Sequence, residues 1–425
     1  MLVTFARFNS QFPTTMFNRF VFFLSPRVVD MDSYLPLGME LKRHIPSADI
    51  RFITFGSQNF EFIKKNTTLM KGIEQAGTLH YLGSSGGVVS RALRRISAFL
   101  SISALILRGN VVLFHGRQFT SFPYNIWYLL ARLTGSRGIV LARVRLTDSG
   151  LHERYKERFA SLSRGRKSII ARVFGRDADG LIHYHERQSL YLQSLYRYGD
   201  IGTVPTLCMG MPNMYPAWRD LVKQEARSLA HKLRVDGVSG GLIYAVIATK
   251  SFSSTALRTL SSVDETFVQL LDCLERLRPD ATILIRLHPL ALGERYIADA
   301  LATRDANRIQ ITFAHPEVLA LVCSRLFINA PTNVCYTTVE AKFIDVSDYT
   351  PEDIVLRNSR SFADGHNVLW VDPRSTYFNE AMDVALQDEI WTTNPELDSV
   401  SKVLYGEPPV RLGNLLEWIK ATSLS

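Results

Sequence analysis

Short apolar runs alternate with amphipathic stretches along most of the chain. Phe20 to Ser25 (FVFFLS) is almost wholly apolar and is closed by Pro26. Tyr34 to His44 then takes helical spacing, and Ile50 to Phe55 (IRFITF) is apolar again, which predicts a β-α-β unit. The rhythm continues with a strand at Val111 to His115, a helix at Asn125 to Leu133, and strands at Ile139 to Ala142 and Gly180 to Tyr184. Ile201 to Tyr215, rich in Pro, Gly and Met, breaks the pattern and reads as a hinge. A linking helix from about Ala217 to Leu233 leads to a second series. Its strands are expected at Leu242 to Ala248, Ala281 to Leu287, Ile309 to Phe313, Leu326 to Asn329 and Phe343 to Val346. Helices are expected between them at Val263 to Arg278, Glu294 to Thr303, Pro316 to Ser324 and Thr332 to Ala341. Strands apolar on both faces and separated by helices predict parallel sheets covered on both sides. The expected fold is α/β, with two doubly wound domains, residues 1–215 and 216–425, and ligand bound between them at the carboxyl ends of strands.

At 425 residues the chain is long enough for two cores, and 46% hydrophobic with 21% charged residues excludes a disordered or low-complexity protein. Lys and Arg number 49 against 40 Asp and Glu, a net charge of +9 that favours an anionic partner: a nucleotide, a nucleic acid or an acidic membrane surface. Most of the excess lies between Arg137 and Arg176, where eleven Lys or Arg face three Asp or Glu. With Arg91, Arg94 and Arg95 ahead of the apolar run Ile96 to Leu107 (ISAFLSISALIL), it forms either a solvated basic face or a docking face for anionic lipid or glycan. Nucleic acid is not expected, because no interleaved aromatic pattern accompanies the arginines. The 12-residue run is too short to span a bilayer, and the N-terminus lacks a clean apolar core with a cleavage site. The four cysteines, Cys208, Cys273, Cys323 and Cys335, have no metal or CxxC spacing, as suits a reducing cytoplasm. A cytoplasmic protein is expected, soluble or peripheral on a membrane.

Candidate chemistry gathers at strand ends. His288 and Pro289 close the strand ATILIRL, so the imidazole falls at a sheet's carboxyl edge, where it either meets phosphate or caps the strand locally. Arg286, two residues earlier, shares its face. Thr249 and Lys250 occupy a strand-to-helix turn in which Lys250 could neutralise a diphosphate. Asn329 to Asn333 (NAPTN) opens the predicted helix with the Thr332 hydroxyl, either an anion seat or a plain N-cap. In the first domain Asp148, in the loop LTDSG, is either a general base facing the cleft or part of an Asx turn with Ser149 and Gly150. His183 and His185 alternate in HYHE, but no third ligand follows at a telling distance, so no metal or cofactor is expected. His315 and Pro316 repeat the His-Pro pair at another junction, where they start a helix.

Asp148-Ser149-Gly150, the His288-Pro289 pair and the NAPTN turn together resemble the acid-acid-Gly, His-Pro and Ser-Ser/Thr motifs of bacterial CMP-sugar glycosyltransferases with two Rossmann-like domains (GT-B). The segment from Ser324 to Tyr349 is similar to the donor-closing helix and loop of capsule and surface-polysaccharide transferases, including glycerol-phosphate polymerases that use CDP-glycerol. That resemblance implies a transferase moving a sugar from a nucleotide donor to a glycan or glycolipid acceptor at the inner membrane face. It implies Asp148 as base on the acceptor hydroxyl, His288 on the donor phosphate, and Thr332 with Asn333 holding that phosphate beside Thr249, Lys250, Arg286 and Pro289. Ser149 replaces the second acid and Pro331-Thr332 replaces Ser-Ser/Thr, departures that weaken a sialyl donor in particular. A nucleotide-sugar epimerase on the same scaffold is the alternative.

Overall fold

The computed structural model describes residues 17–24, 30–83, 88–116, 119–141, 177–184, 204–235, 241–249, 263–330, 341–351, 368–391 and 409–422. Within them, seven strands form one parallel sheet: β1 (Arg19–Leu24), β2 (Asp49–Thr54), β3 (Thr78–Tyr81), β4 (Val111–His115), β5 (Arg137–Leu141), β6 (Gly180–His183) and β7 (Thr206–Cys208). Six form another: β8 (Ile243–Ala248), β9 (Thr282–Leu287), β10 (Ile309–Thr312), β11 (Arg325–Ile328), β12 (Phe343–Asp345) and β13 (Val368–Trp370). Their orders, β3-β2-β1-β4-β5-β6-β7 and β10-β9-β8-β11-β12-β13, are doubly wound, with the direction of winding reversing between β1 and β4 and between β8 and β11. The described helices are α1 (Met31–His44), α2 (Ser57–Lys65), α3 (Thr67–Ala76), α4 (Val88–Leu107), α5 (Tyr124–Leu133), α6 (Pro216–Val235), α7 (Val263–Leu277), α8 (Arg295–Ala302), α9 (Pro316–Val322), α10 (Phe378–Leu386) and α11 (Leu412–Ala421).

The strands are buried on both faces, as their unbroken apolar runs predict. Phe22 of β1 stacks on Phe52 of β2 at 5.2 Å and on Phe114 of β4 at 4.7 Å, partners that the parallel register places beside it. Its neighbour Phe23 points to the opposite face and stacks on Trp127 of α5 at 5.1 Å. Gly38 lets α1 lie close over this sheet, since a Cβ there would sit 2.7 Å from the Phe52 ring. One face of the first sheet is covered by α1, α3 and α6, and the other by α4 and α5. In the second sheet, α7, α8 and α10 pack one face while the end of α6 and α9 pack the other. Helix α6 therefore runs from one core to the other, Trp218 and Leu221 in the first and Leu233 in the second. Helix α11 also returns to the first core, lying so close to β6 that a Cβ at Gly180 would meet the Trp418 ring at 2.5 Å.

The segment read as a hinge is a packed one in its described part. Thr206–Cys208 is the edge strand β7, and Met209 and Met211 are core residues of the first sheet. Residues 142–176, which hold most of the basic segment with Asp148, lie outside the described residues, as do His185, Lys250, Thr332, Asn333 and all but the last residue of the helix expected at 332–341.

Asp179 shows how this sheet handles a buried charge. It is fully buried at the start of β6, where Oδ1 accepts from Arg132 Nη1 at 2.6 Å and from the Tyr128 hydroxyl at 3.2 Å, and Oδ2 accepts from Gly138 N at 2.9 Å. Asp179→Asn turns an amide N–H toward one of these donors and is expected to cost about 1–3 kcal/mol, read as a lower denaturation midpoint at unchanged slope.

Candidate active-site cleft

The carboxyl edges of the two sheets face each other. Helices α1 and α2, which leave β1 and β2 at their carboxyl ends, meet the loops that leave β9 and β10. Gln58 Nε2 donates to the Pro289 carbonyl at 2.9 Å, the Arg286 guanidinium lies 5.5 Å from the Phe62 ring, and Phe62 and Phe313 meet edge to face at 6.4 Å. Lys65 adds a cation–π contact to Phe313 at 5.5 Å. His315 Nδ1 accepts from Glu317 N at 3.3 Å as the N-cap of α9. Its Nε2 is therefore the protonated nitrogen, and it donates to Asp32 Oδ1 of α1 at 3.2 Å.

Three of the residues picked out in the sequence meet at one edge of this cleft. His288 N donates to the Ala248 carbonyl at 2.7 Å, extending the β8–β9 ladder by a residue and setting His288 beside the β8 end that leads into Thr249. Thr249 N donates to Asn329 Oδ1 at 3.2 Å, across the reversal point between β8 and β11, and Asn329 Nδ2 ties in the start of α7 through the Val263 carbonyl at 3.2 Å. The Tyr296 hydroxyl donates to the Thr249 carbonyl. Thr249 Oγ1 is buried without a hydrogen-bond partner among the described residues.

Arg286 is 5% exposed, and its Nε donates to the Ala314 carbonyl at 3.2 Å while Nη1 is buried without an acceptor among the described residues. Burial lowers its pKa to about 10, against the opposing pull of Asp32, so it remains a cation at neutral pH. Burial, and next the Arg286 charge, lower the pKa of His288 to about 3. The imidazole is thus neutral at pH 7, and the positive charge at this edge belongs to Arg286. An edge with a guanidinium N–H, an imidazole and a hydroxyl, the first and last buried without partners among the described residues, is suited to an anion.

Some of the residues that shape the cleft carry no motif. Asp32, Phe62 and Gln58 sit on helices of the first unit and gain meaning only from the opposite sheet. Glu317 is another. It is buried at 3% exposure, accepting from Trp218 Nε1 at 3.1 Å and Asn213 Nδ2 at 3.3 Å, with Arg219 Nη1 at 3.5 Å. Burial raises its pKa to about 7, against the Trp218 hydrogen bond and the Arg219 charge that pull it down. A carboxyl with a raised native pKa binds its proton more tightly folded than unfolded, so its contribution is present in acid and is lost as pH rises through about 7. Glu317→Gln is therefore expected to flatten the fall in stability between pH 5 and pH 7, read from denaturation midpoints at several pH values. An unchanged slope would remove Glu317 as the source.

Cys273 and Cys323 are buried core thiols and Cys208 is exposed. Among the described residues no three His, Cys, Asp or Glu form a metal-holding group.

Doubly wound sheets that meet edge to edge at a cleft, with one helix crossing between cores, make this a GT-B fold. No family model and no curated protein sequence matches the chain. Solved structures do. The chain is similar to a structure described as Staphylococcus aureus MnaA with UDP, at TM-score 0.55 and 12% identity over 96% of this chain and 97% of that one. It is similar to Glycyrrhiza uralensis UGT73P12 complexed with glycyrrhetinic acid 3-O-monoglucuronide, at TM-score 0.52 and 11% identity over 96% of each chain. A third is UDP-GlcNAc 2-epimerase from Neisseria meningitidis bound to UDP-GlcNAc, at TM-score 0.50 and 13% identity over 96% of this chain and 99% of that one. At such identities the likeness is one of fold.

Proposed function

We propose that this chain is a glycosyltransferase that moves a sugar from a nucleotide donor, CMP-linked in our reading, to a hydroxyl of a bacterial surface glycan or glycolipid. The observation that carries the proposal is the buried Arg286 Nη1, without an acceptor among the described residues, beside His288 and Thr249 at the carboxyl edge of the second sheet. A buried cation with a spare donor at the carboxyl edge of a doubly wound sheet, one strand from the reversal point, stabilises a donor phosphate. We divide the chain at 215/216, with α11 returned to the first unit, and give the donor to the second.

In this mechanism the acceptor hydroxyl gives its proton to Asp148 as its oxygen forms a bond to the anomeric carbon. The bond from that carbon to the phosphate oxygen breaks, and its electron pair stays with the nucleotide. Arg286 and Lys250 meet the phosphate charge, and His288, Thr249 and the Thr332-Asn333 turn hydrogen-bond its oxygens. Positioning and phosphate stabilisation supply most of the rate. Pro289, held through its carbonyl by Gln58, fixes the His288 loop against the first unit.

A second reading is a nucleotide-sugar epimerase, favoured by the likeness to the UDP-GlcNAc 2-epimerase fold. A CDP-glycerol-type transferase would use the same phosphate contacts. Incubation of purified protein with CMP-, CDP- and UDP-linked donors, with and without lipid-linked oligosaccharide, separates them. Nucleotide release that requires acceptor is expected. Isomerised donor without acceptor makes the epimerase correct, release with CDP-glycerol alone makes the polyol transferase correct, and no turnover of any donor overturns all three.

A further inference from the structure

We propose that the outer face of α4 docks on an anionic lipid bilayer, the helix lying in the plane of the interface. Two stripes of this helix point in opposite directions. Ala98, Ile102, Leu105 and Ile106 are buried on the first sheet, and Ser103 Oγ, accepting from Trp127 Nε1 at 3.2 Å, fixes the rotation of the helix. Leu93, Ile96, Leu100 and Leu107, at positions i, i+3, i+7 and i+14, form the other stripe and are 56–62% exposed. Phe122, 71% exposed, lies beside them, its ring stacked on Phe99 of the same helix at 5.9 Å. A sheet-packed helix ordinarily shows water a polar outer face, and this one shows a second apolar face.

The charge around the stripe selects the partner. No Asp or Glu stands between Glu74 and Asp148, while nine arginines do. Two of the nine are used inside the fold, Arg132 on Asp179 and Arg137 on the carbonyls of Gly135 and Ser136. Arg95 and Arg108 are exposed toward the two ends of the stripe. Exposed leucine, isoleucine and phenylalanine on a helix whose described charged residues, Arg95 and, just past its end, Arg108, are both cationic match an acidic headgroup layer above acyl chains, and match poorly a protein surface, which carries both signs of charge. No described helix is long and apolar enough to cross a membrane, so the contact is one of lying on the bilayer. Helix α4 follows β3, so by topology it starts on the carboxyl side of the first sheet. The docking goes beyond the proposed chemistry and does not depend on it.

The test is flotation of the full chain with phosphatidylcholine vesicles, with and without phosphatidylglycerol. The wild type is expected to float with the phosphatidylglycerol vesicles only, and to be released at about 0.5 M salt, where screening is down to a few Å. Ile96→Glu with Leu100→Glu is expected to lower the partition coefficient at least about tenfold. Ile96→Ser with Leu100→Ser, which resembles the serines already on this helix, is expected to give the same direction of loss with the wild-type melting temperature. Failure of the wild type to float, or floating by the Ser pair at wild-type level, overturns the proposal. So does light scattering in which the wild type is a dimer that the Ser pair splits while lipid binding stays unchanged, since the stripe would then belong to a second copy of the chain.

Discussion

Arg286→Met is expected to weaken nucleotide-donor binding by about 10- to 100-fold while leaving the unliganded protein as stable as the wild type or more so. The loss corresponds to one hydrogen bond from a charged donor, about 1.5–3 kcal/mol. The unchanged or higher stability follows from what the guanidinium lacks in the free protein. It is buried, its Nη1 has no acceptor among the described residues, and burial has already lowered its pKa to about 10. Methionine keeps the apolar stem against Phe62 and removes the desolvated charge, a replacement that is often neutral or stabilising. A residue that costs stability until an anion arrives belongs to a binding site. Calorimetric titration with CMP- and UDP-linked donors reads the affinity, and melting curves with and without nucleotide read the opposite signs of the two effects. If both proteins bind nucleotide equally, Arg286 is an interdomain packing residue and the donor site lies elsewhere.

The sheets were legible in the sequence wherever a strand is buried on both faces. Val111 to His115 is the strand read from its apolar run, and β8 and β9 differ from their expected bounds by a residue at one end. The strands that escaped are edge strands or short ones. Thr78–Tyr81 is partly exposed along its length, Thr206–Cys208 is three residues inside a Pro- and Gly-rich stretch, and Val368–Trp370 is equally short. The first two carry no unbroken apolar run, because solvent on one side removes the need for it, while Val368–Trp370 (VLW) is apolar but too short to stand out. The site was legible to the same extent. Arg286, His288 and Thr249 stand at the ends of strands whose direction the pattern gives, so their meeting at a carboxyl edge follows from topology. Their partners across the cleft do not. Gln58 is 231 positions from Pro289, and Asp32 is 283 from His315. Contacts of that kind depend on how two finished units dock, which no local period encodes. The acids Asp30 and Asp32, at the start of the helix that follows β1, were the available signal. They stand at the carboxyl edge of the first sheet, as His288 stands at that of the second.

His288→Ala is expected to lower kcat by about a hundred- to a thousandfold, the usual cost of removing one donor aimed at developing charge. His288→Gln is expected to recover part of it. The difference between the two follows from the state of the imidazole. With its pKa lowered to about 3, by burial and then by the Arg286 charge, it meets the donor as a neutral ring. A neutral ring offers one N–H and holds no spare proton, and glutamine offers an N–H too. Chemistry that needs a proton delivered to the phosphate would leave alanine and glutamine equally inactive. The same pKa sets the pH profile. A group whose native pKa lies below its free value of 6.5 charges only as pH falls toward about 3, so kcat/KM of the wild type should show no acid limb near 6.5 from this residue. The bound complex differs, because an anionic phosphate beside the ring opposes both desolvation and the Arg286 charge and raises the imidazole pKa. The kcat profile can then carry a limb that kcat/KM lacks. An acid limb near 6.5 in kcat/KM that is lost in His288→Gln would mean the free enzyme holds an imidazolium at this edge. Proton delivery would then replace hydrogen bonding as the role of His288.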